Sequence, residues 1–570
     1  MVLAGAGRAQ VTERVSVGPG GVQASSGGDV TPGHSLSADG RYVLFMSAFR
    51  FHRLDNNGNW DVFARDRLTG WTEVISVSTS GDVGNSVSGL YGMTITPDGR
   101  YVAFESRANN LVSGDTNGSS DIFLRDRQAG TTERMSVATG GTQGNAQSWL
   151  PSISPDGRYV AFTSFASNLV QGDTNGAFDV FVRDRWNSTT ERMSVGAGGA
   201  QGNGDSYQPV ISADGRFVAF ESFASNLVPG DTNGFYDIFV RDRVTGTTER
   251  VSVSTAGVQA NGECSRTAIS ADGRFVAFGS LANNLVPGDT NGFFDVFLRD
   301  RVSGTIELVS TGVPAPGNAG LPSLSPDGRY VAFVSGAGVC VRDRQTGSTE
   351  VASVAMDGSP ASAWYPTVSP DGRYVSFRSY ASNLVAGDTN TFGDVFVRDR
   401  AAAGFASLCE PGVDGVAPCP CSNPASGPER GCNNSSGTGG AALTAAGIAY
   451  LSMDSLAFTT TGQTPSATSI LLQGDAVVPT GAVFGQGVRC AGGSLKRLFV
   501  KSAAAGGIVA PELGAGDPTV STRSAILGDP ILPGQSRYYL VFYRDPLVLG
   551  GCPAASTFNA TQTGRVSWWP

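Results

Sequence analysis

The 570-residue chain carries 77 glycines and only 16% charged residues, with a net charge of −9 and a pI of about 5.0. Short valine- and phenylalanine-rich runs on that glycine-rich background indicate an all-β protein with many turns, long enough for two or more domains. The acidic balance argues against a broad nucleic-acid surface, and no apolar run is long enough for a membrane-spanning helix. With only two histidines, His34 and His52, most histidine-based catalysis and His-rich metal sites are excluded.

The first ten residues, MVLAGAGRAQ, end like the small-residue tail of a signal peptide, so residues 1–10 are expected to be the remnant of one. After them one unit recurs. Its Asp-Gly-Arg core places an aspartate at Asp39, Asp98, Asp156, Asp214, Asp272, Asp327 and Asp371, a spacing of roughly 44 to 59 residues that marks a repeat architecture. In the unit centred on Asp214, Ser206–Ser212 alternates like a strand, and Asp214-Gly215 supplies the positive-φ chemistry of a tight hairpin. Arg216–Glu221 is a continuous apolar run, as in a strand buried on both faces. A polar loop precedes the strand Asp237–Arg241, a Thr-Gly turn follows it, and Thr247–Val253 alternates as a half-exposed fourth strand.

Four strands per unit is the size of a propeller blade, and seven Asp-Gly-Arg turns predict seven blades. The seventh lacks its closing strand, whereas Val11–Val17 (VTERVSV) precedes the first turn. The N-terminal strand is therefore expected to close the ring and leave no open edge. The motif Ser-Pro-Asp-Gly-Arg-Tyr-Val-Ala-Phe, at 154–162 and 325–333, resembles the TolB-like (PD40, WD40-related) propellers across about residues 11 to 400. That resemblance implies periplasmic interaction proteins or the non-catalytic part of prolyl-oligopeptidase-like peptidases. The chain has no Gly-x-Ser-x-Gly motif and no histidine after His52, which disfavours the peptidase branch.

Two features fall on the face carrying the long loops. The first is the pattern Asp-x-Asn-x-x-x-Asp, which occurs six times. Its residues are Asp55, Asn57 and Asp61; Asp115, Asn117 and Asp121; and Asp173, Asn175 and Asp179. They continue as Asp231, Asn233 and Asp237; Asp289, Asn291 and Asp295; and Asp388, Asn390 and Asp394. Such oxygens suit structural Ca²⁺, and the spacing resembles a shortened form of calcium loops in other propellers; an Asx turn accounts for the same residue types. Blade six, at Gly336-Ala337-Gly338, has lost the loop, so the fold does not require it. The second feature is the position seven residues before each Asp-Gly, occupied by Pro32, Tyr91, Trp149, Tyr207, Ser265, Gly320 and Trp364. Tyr91, Trp149, Tyr207 and Trp364 at a channel mouth are candidates for stacking on sugars or peptides, against the alternative of packing between blades. The recurrent Arg-Asp-Arg, as at Arg183-Asp184-Arg185 and Arg241-Asp242-Arg243, with Glu249 and Arg250 on the following strand, reads as a charge ladder within the blade rim.

The repeat ends near residue 405. Residues 406–440 form a Cys/Gly/Pro-rich linker, and the short alternating runs of 441–570, such as Ser494–Val500 and Arg537–Tyr543, predict a β-sandwich. Six cysteines lie here, Cys409, Cys419, Cys421, Cys432, Cys490 and Cys552, with Cys490 and Cys552 plausible partners. Disulfides and an oxidising compartment are favoured over zinc, since Cys-x-Cys has no second well-spaced pair. Cys-Pro-Cys, Gly-Cys-Asn-Asn-Ser, Arg-Tyr-Tyr and the terminal Phe-Asn…Trp resemble C-terminal modules of secreted proteins from planctomycete-like bacteria, which implies extracellular display. The overall expectation is an extracellular, surface or periplasmic non-catalytic binding or scaffold protein, whose loop face meets a protein or glycan partner. Two alternatives stand beside it. One is a propeller lyase or hydrolase using channel-mouth residues, with Glu263 and Arg266 as the unrepeated candidates; the other is a structural subunit of an extracellular assembly.

Overall fold

The computed structural model describes residues 11–18, 21–25, 27–30, 33–51, 55, 57–313, 317–400, 406–409, 411, 416–419, 423–426, 430–438, 440–446, 454, 456–484, 486–512, 515–532, 535–545, 558–561 and 563–568. It separates into a unit spanning Val11–Arg400 and a second holding Ala401–Pro570 together with Met1–Gln10.

Among its described residues the first unit consists of six four-stranded and one three-stranded antiparallel sheets, an all-β arrangement consistent with a propeller. The fourth sheet shows the plan: Ser206–Ile211, Phe217–Ser222, Asp237–Asp242 and Thr247–Arg250 pair in that order. The first sheet, Tyr42–Ser47, Asp61–Asp66 and Trp71–Val74, has in place of a first strand only the bridges Asp29↔Met46 and Leu36↔Val43. The seventh gathers Trp364–Val368, Tyr374–Ser379 and Asp394–Asp399 with Val11–Arg14 from the start of the chain, in the register Val11↔Asp399 and Arg14↔Phe396. Second and third strands are almost wholly buried, because their two faces pack on neighbouring sheets. One apolar cluster joins Val240 and Val251 of the fourth sheet to Cys264, Val276 and Phe278 of the fifth.

The Asp-Gly-Arg turns lock one sheet to the next. Gly215 has φ +72°, and a β-carbon there would lie 2.1 Å from Tyr159 Cδ2 of the preceding sheet. Glycine is thus required twice, by conformation and by space. The same aromatic lies beneath Arg243, whose Nε donates to Glu191 Oε1 (2.7 Å) of the third sheet and whose guanidinium also bonds the Gly215 carbonyl. At the seam between chain ends the same clamp recurs: Arg67 Nε donates to Glu13 Oε2 (2.9 Å), Nη1 to Gly40 O (2.6 Å), and the guanidinium lies over Tyr374. The charge ladder therefore runs between sheets and not only within a rim. Glu249 likewise pairs with Arg301 of the next sheet. The middle aspartate stays inside its sheet, as in Arg216–Asp242 (Nη2···Oδ2 2.7 Å).

In the second unit, Ala406–Cys409, Thr563–Ser567, Ser536–Arg544, Thr468–Gly474 and Lys496–Ser502 pair in that order. A three-stranded sheet holds Ala442–Ala446, Ala457–Thr461 and Val509–Ala510. One apolar cluster draws Leu443 and Phe458 from the smaller sheet and Leu471, Tyr539 and Val541 from the larger, with Val520 of the helix Val520–Ile526 and Trp568. Cys419 and Cys432 form a disulfide, and Cys490 is disulfide-bonded. Cys421 and Cys552 lie outside the described residues, so the expected Cys490–Cys552 pairing does too. Cys264 and Cys340 are buried free thiols. Among the described residues no helix is long and apolar enough to cross a membrane.

Candidate functional site

On the loop face each Asp-x-Asn segment folds onto the start of its third strand. Asn117 Oδ1 accepts from Ser119 N (2.9 Å), an Asx turn, and Asn117 Nδ2 donates to Asp121 Oδ2 (3.0 Å) and Gly144 O (2.9 Å). Asp121 is buried and also accepts from Ser136 Oγ. The other five loops repeat this arrangement. Asn57 donates to Asp61 (3.1 Å), Asn175 to Asp179 (2.9 Å) and Asn233 to Asp237 (2.8 Å). In the same way Asn291 donates to Asp295 (2.7 Å) and Asn390 to Asp394 (3.1 Å). In every loop the amide oxygen accepts from the backbone N–H two residues on.

Asn57, Asn117, Asn175, Asn233, Asn291 and Asn390 thus adopt the Asx turn that the same spacing allowed beside the calcium reading. Each amide oxygen is taken by that turn, and each amide N–H₂ points at the carboxylate closing the loop. In four loops a guanidinium from the fourth strand also faces both carboxylates. Arg134 Nη1 lies 3.5 Å from Asp115 and 3.8 Å from Asp121. Arg192 stands likewise against Asp173 and Asp179, Arg250 against Asp231 and Asp237, and Arg14 against Asp388 and Asp394. Val74 and Leu308 occupy that position behind the carboxylate pairs Asp55 with Asp61 and Asp289 with Asp295. There, burial raises Asp61 to about 7, with Asp55 adding to the effect. Burial raises Asp289 as well. Asp295, at the start of its strand, accepts from Ser310 Oγ (2.6 Å). Among the described residues no group of three or more His, Cys, Asp or Glu is placed to hold a metal ion; His52 lies outside them.

The aromatic positions of three successive sheets come together in one row. Tyr91 and Trp149, on successive first strands, stack at 4.9 Å and 25°. Phe178 stacks on Trp149 (5.0 Å, 26°) and leans on Tyr207 (5.2 Å), which leans on Tyr236 (6.3 Å). This row stitches the second, third and fourth sheets together and occupies the ring faces of Tyr91 and Trp149 largely with each other and with Phe178. Trp364 stands apart, edge-on to Tyr380 (6.0 Å). Pro32 lies outside the described residues.

One residue further along, the backbone does something that sequence spacing does not reveal. Leu150, Gln208, Arg266, Leu321 and Tyr365 all have φ between 53° and 58°, with Gly33 and Gly92 at the equivalent places. The first strands lose register there, for instance between Tyr207 and Val210. Such a bulge re-aims a side chain, and a left-handed non-glycine residue costs about 1–3 kcal/mol. Five of these residues, with Gly33, line one cavity of about 100 Å³ that also meets His34, whose burial lowers its pKa. Five equivalent points around one cavity thus share a left-handed bend.

Directly across from the aromatic positions, the second strands carry the residues that break the repeat. Glu105 lies in the second sheet; Thr163 faces Trp149, Glu221 faces Tyr207, Gly279 faces Ser265, Val334 faces Gly320 and Arg378 faces Trp364. Glu221 is 8% exposed and accepts from Arg266 N (2.9 Å) of the next sheet. Burial pushes its carboxyl above the usual range, although Arg266 opposes this. With its amide oxygen turned toward Arg266, Gln208 accepts from Nη1 (2.9 Å) and Nε (3.2 Å). Burial and then the neighbouring Asp205 raise the Tyr207 phenol. Glu105, fully buried and accepting from Tyr91 N (3.2 Å), is raised by burial as well. At the seam between the seventh and first sheets, Arg378 Nε lies 3.1 Å from Asp29 Oδ1, and burial lifts Asp29 to about 6.

Sequence reasoning named Arg266 and Glu263, and Gln208 as a polar neighbour of the aromatics, but passed over Glu221, Glu105 and the Asp29–Arg378 pair. The usable signal was departure from the repeat. At the position of Glu105 and Glu221 the other copies offer Met46, Thr163, Gly279, Val334 or Arg378.

Neither a family model nor a curated protein matches the chain. Among solved structures, an oligogalacturonate lyase from Vibrio parahaemolyticus is similar over 68% of this chain and 96% of its own, with 13% identity and a TM-score of 0.43. A putative TolB from Agrobacterium tumefaciens is similar over 50% and 80%, with 19% identity and a TM-score of 0.32. Both are TolB-like β-propeller folds. The expectation of a non-catalytic binding scaffold is corrected here. The strained cavity is lined by Arg266, whose backbone N–H bonds the buried Glu221 and whose side chain meets Gln208, so this face differs from one repeat to the next.

Proposed function

We propose that the protein is a propeller enzyme, a lyase or hydrolase, working at the mouth bounded by Glu221, Arg266, Gln208 and Tyr207. The observation that carries this reading is the Glu221–Arg266 contact beside the one cavity onto which five strained residues converge. A carboxyl held above its ordinary range is suited to proton transfer, the role assigned to Glu221. Arg266, oriented by Gln208, would stabilise negative charge developing on the substrate, and preorganised donors of this kind supply much of the effect in such sites. The Tyr207 phenol, kept protonated, is a donor beside it.

The scaffold for this site is read as a seven-bladed ring closed by Val11–Arg14, followed by a β-sandwich. The Cys419–Cys432 bridge supports an oxidising, extracytoplasmic location. Calcium is kept as a proposal for two loops alone, through the carboxylates of Asp55 with Asp61 and of Asp289 with Asp295, where no arginine stands on the closing strand. The test of the enzyme reading is a panel of glycans and esters, oligogalacturonate included, assayed with the wild type and with Glu221→Gln. Turnover of a panel member that Glu221→Gln abolishes, with melting unchanged, is the expected result; turnover that persists in Glu221→Gln refutes the assignment.

A further inference from the structure

Beside the mouth, three successive sheets present the same composite surface. The residue after each second strand is exposed and flat or apolar: Phe165 is 43% exposed, Phe223 51% and Leu281 48%. The backbone N–H of each is tied to the residue preceding the adjacent first strand, Phe165 to Gln147 O (3.0 Å), Phe223 to Asp205 O (2.9 Å) and Leu281 to Glu263 O (3.0 Å). Every apolar group is thereby set next to a hydrogen-bonding side chain: Gln147, Asp205 or Glu263. Phe165 and Phe223 are each braced by a tilted ring, Phe178 at 5.0 Å and Tyr236 at 5.3 Å, both at 51°, so their outward parts are held without being covered. Two residues along, polar pairs follow, Asn145 Nδ2 on Ser167 Oγ and Asn203 Nδ2 on Ser225 Oγ, each 3.0 Å. In the second sheet the position is taken by Arg107, whose guanidinium faces Tyr91 and donates to Ser120 Oγ (3.3 Å).

Resting on the enzyme reading, we infer that this crown is a row of subsites for a linear saccharide chain, whose sugar rings lie on Phe165, Phe223 and Leu281 and whose hydroxyls bond Gln147, Asp205 and Glu263, leading into the Glu221–Arg266 mouth. The argument is one of matched polarity. A protein docking surface needs a contiguous apolar centre with a polar rim, whereas here apolar and hydrogen-bonding groups alternate sheet by sheet. A small compact substrate would have no use for a motif repeated three times. A saccharide chain repeats an apolar ring face and a hydroxyl edge at every unit, and aromatic side chains with polar neighbours are its usual complement. The free ring surfaces belong to Phe165 and Phe223, not to Tyr91 and Trp149, whose faces are engaged in the stack.

The test uses the full chain as Glu221→Gln, titrated calorimetrically with neutral and uronic-acid linear oligosaccharides from disaccharide to hexasaccharide. Affinity in one series should climb with length to at least the trisaccharide. Phe165→Ala and Phe223→Ala should each weaken binding of the longer members roughly tenfold with the melting temperature unchanged. Affinity that does not vary with length, or that ignores both substitutions, overturns the crown. The enzyme reading fails separately. Length-dependent binding without turnover by the wild type upholds the crown and sinks the enzyme; turnover of a non-saccharide insensitive to Phe165→Ala and Phe223→Ala does the reverse.

Discussion

In the fourth sheet the third strand, Asp237–Asp242, begins and ends with an aspartate, and the two ends titrate in opposite directions. Asp237, on the loop face, is raised by burial against its hydrogen bonds to Ser252 and Asn233. Asp242, on the turn face, is held well below the usual range by Arg216. Neighbouring sheets repeat the contrast: Asp179 is raised, whereas Asp184, despite its desolvation, is brought down to about 2 by Arg158. The same residue type on one six-residue strand thus serves two ends with different physics. The turn face is built from fully compensated charge that every repeat shares. The loop face holds carboxyls whose charge is costly, and it is there that individual repeats depart from one another. Function is expected where identical residues are least stabilised and least repeated.

The strongest way to break the turn face is Gly215→Ala. A left-handed alanine whose β-carbon meets the Tyr159 ring should cost about 3 kcal/mol or more, read as a lowered denaturation midpoint with intact mouth chemistry. Arg243→Ala removes a guanidinium that lies over Tyr159 and bonds Glu191 and the Gly215 carbonyl. About 1–2 kcal/mol should be lost, and a double-mutant cycle with Glu191→Gln should assign less than about 1 kcal/mol to the half-exposed ion pair itself.

The contrast in titration gives a subtler test. Asp61 is raised from 3.8 to about 7, so the folded state binds its proton more tightly than the unfolded chain. Its contribution is fully present below pH 3.8 and lost as pH rises through 7. Asp343 is lowered from 3.8 to about 2 by Arg329, so its contribution is present above 3.8 and lost as pH falls through 2. Asp61→Asn should therefore flatten the decline of stability between about pH 4 and 7, while Asp343→Asn should flatten the acid limb only. Equal effects of both substitutions in one window would erase the distinction between the faces. The smallest effect expected is from calcium: at concentrations near its Kd, binding should add less than about 1 kcal/mol. Asp289→Asn should reduce that gain and Asp231→Asn leave it unchanged, since Arg250 already faces Asp231 and Asp237.

Much of the repeat could be read directly from residues. Asp-Gly turns, the apolar RFVAFE run and the displaced VTERVSV strand each follow from local chemistry, and Val11–Arg14 does pair with Asp394–Asp399. Which end of each loop asparagine faces its aspartate was not legible, because an amide offers an oxygen and a nitrogen of equal reach. The inter-sheet direction of the Arg243–Glu191 clamp was hidden, because Glu249 is nearer in sequence and equally suited in charge. The mouth was harder still. Left-handed geometry at Gln208 and Arg266 accompanies register shifts in the first strands, and no residue type signals it. Glu221 looked like part of a repeating strand until its partner across the sheet seam was visible.

The most direct test of the account is the pH dependence of kcat/KM for whichever panel substrate the wild type turns over, compared with Arg266→Gln. A proton-transferring Glu221 predicts an inflection above the ordinary glutamate range that moves further up when the Arg266 guanidinium, which opposes the shift, is removed. An inflection at the ordinary position, or one that Arg266→Gln leaves in place, would contradict it.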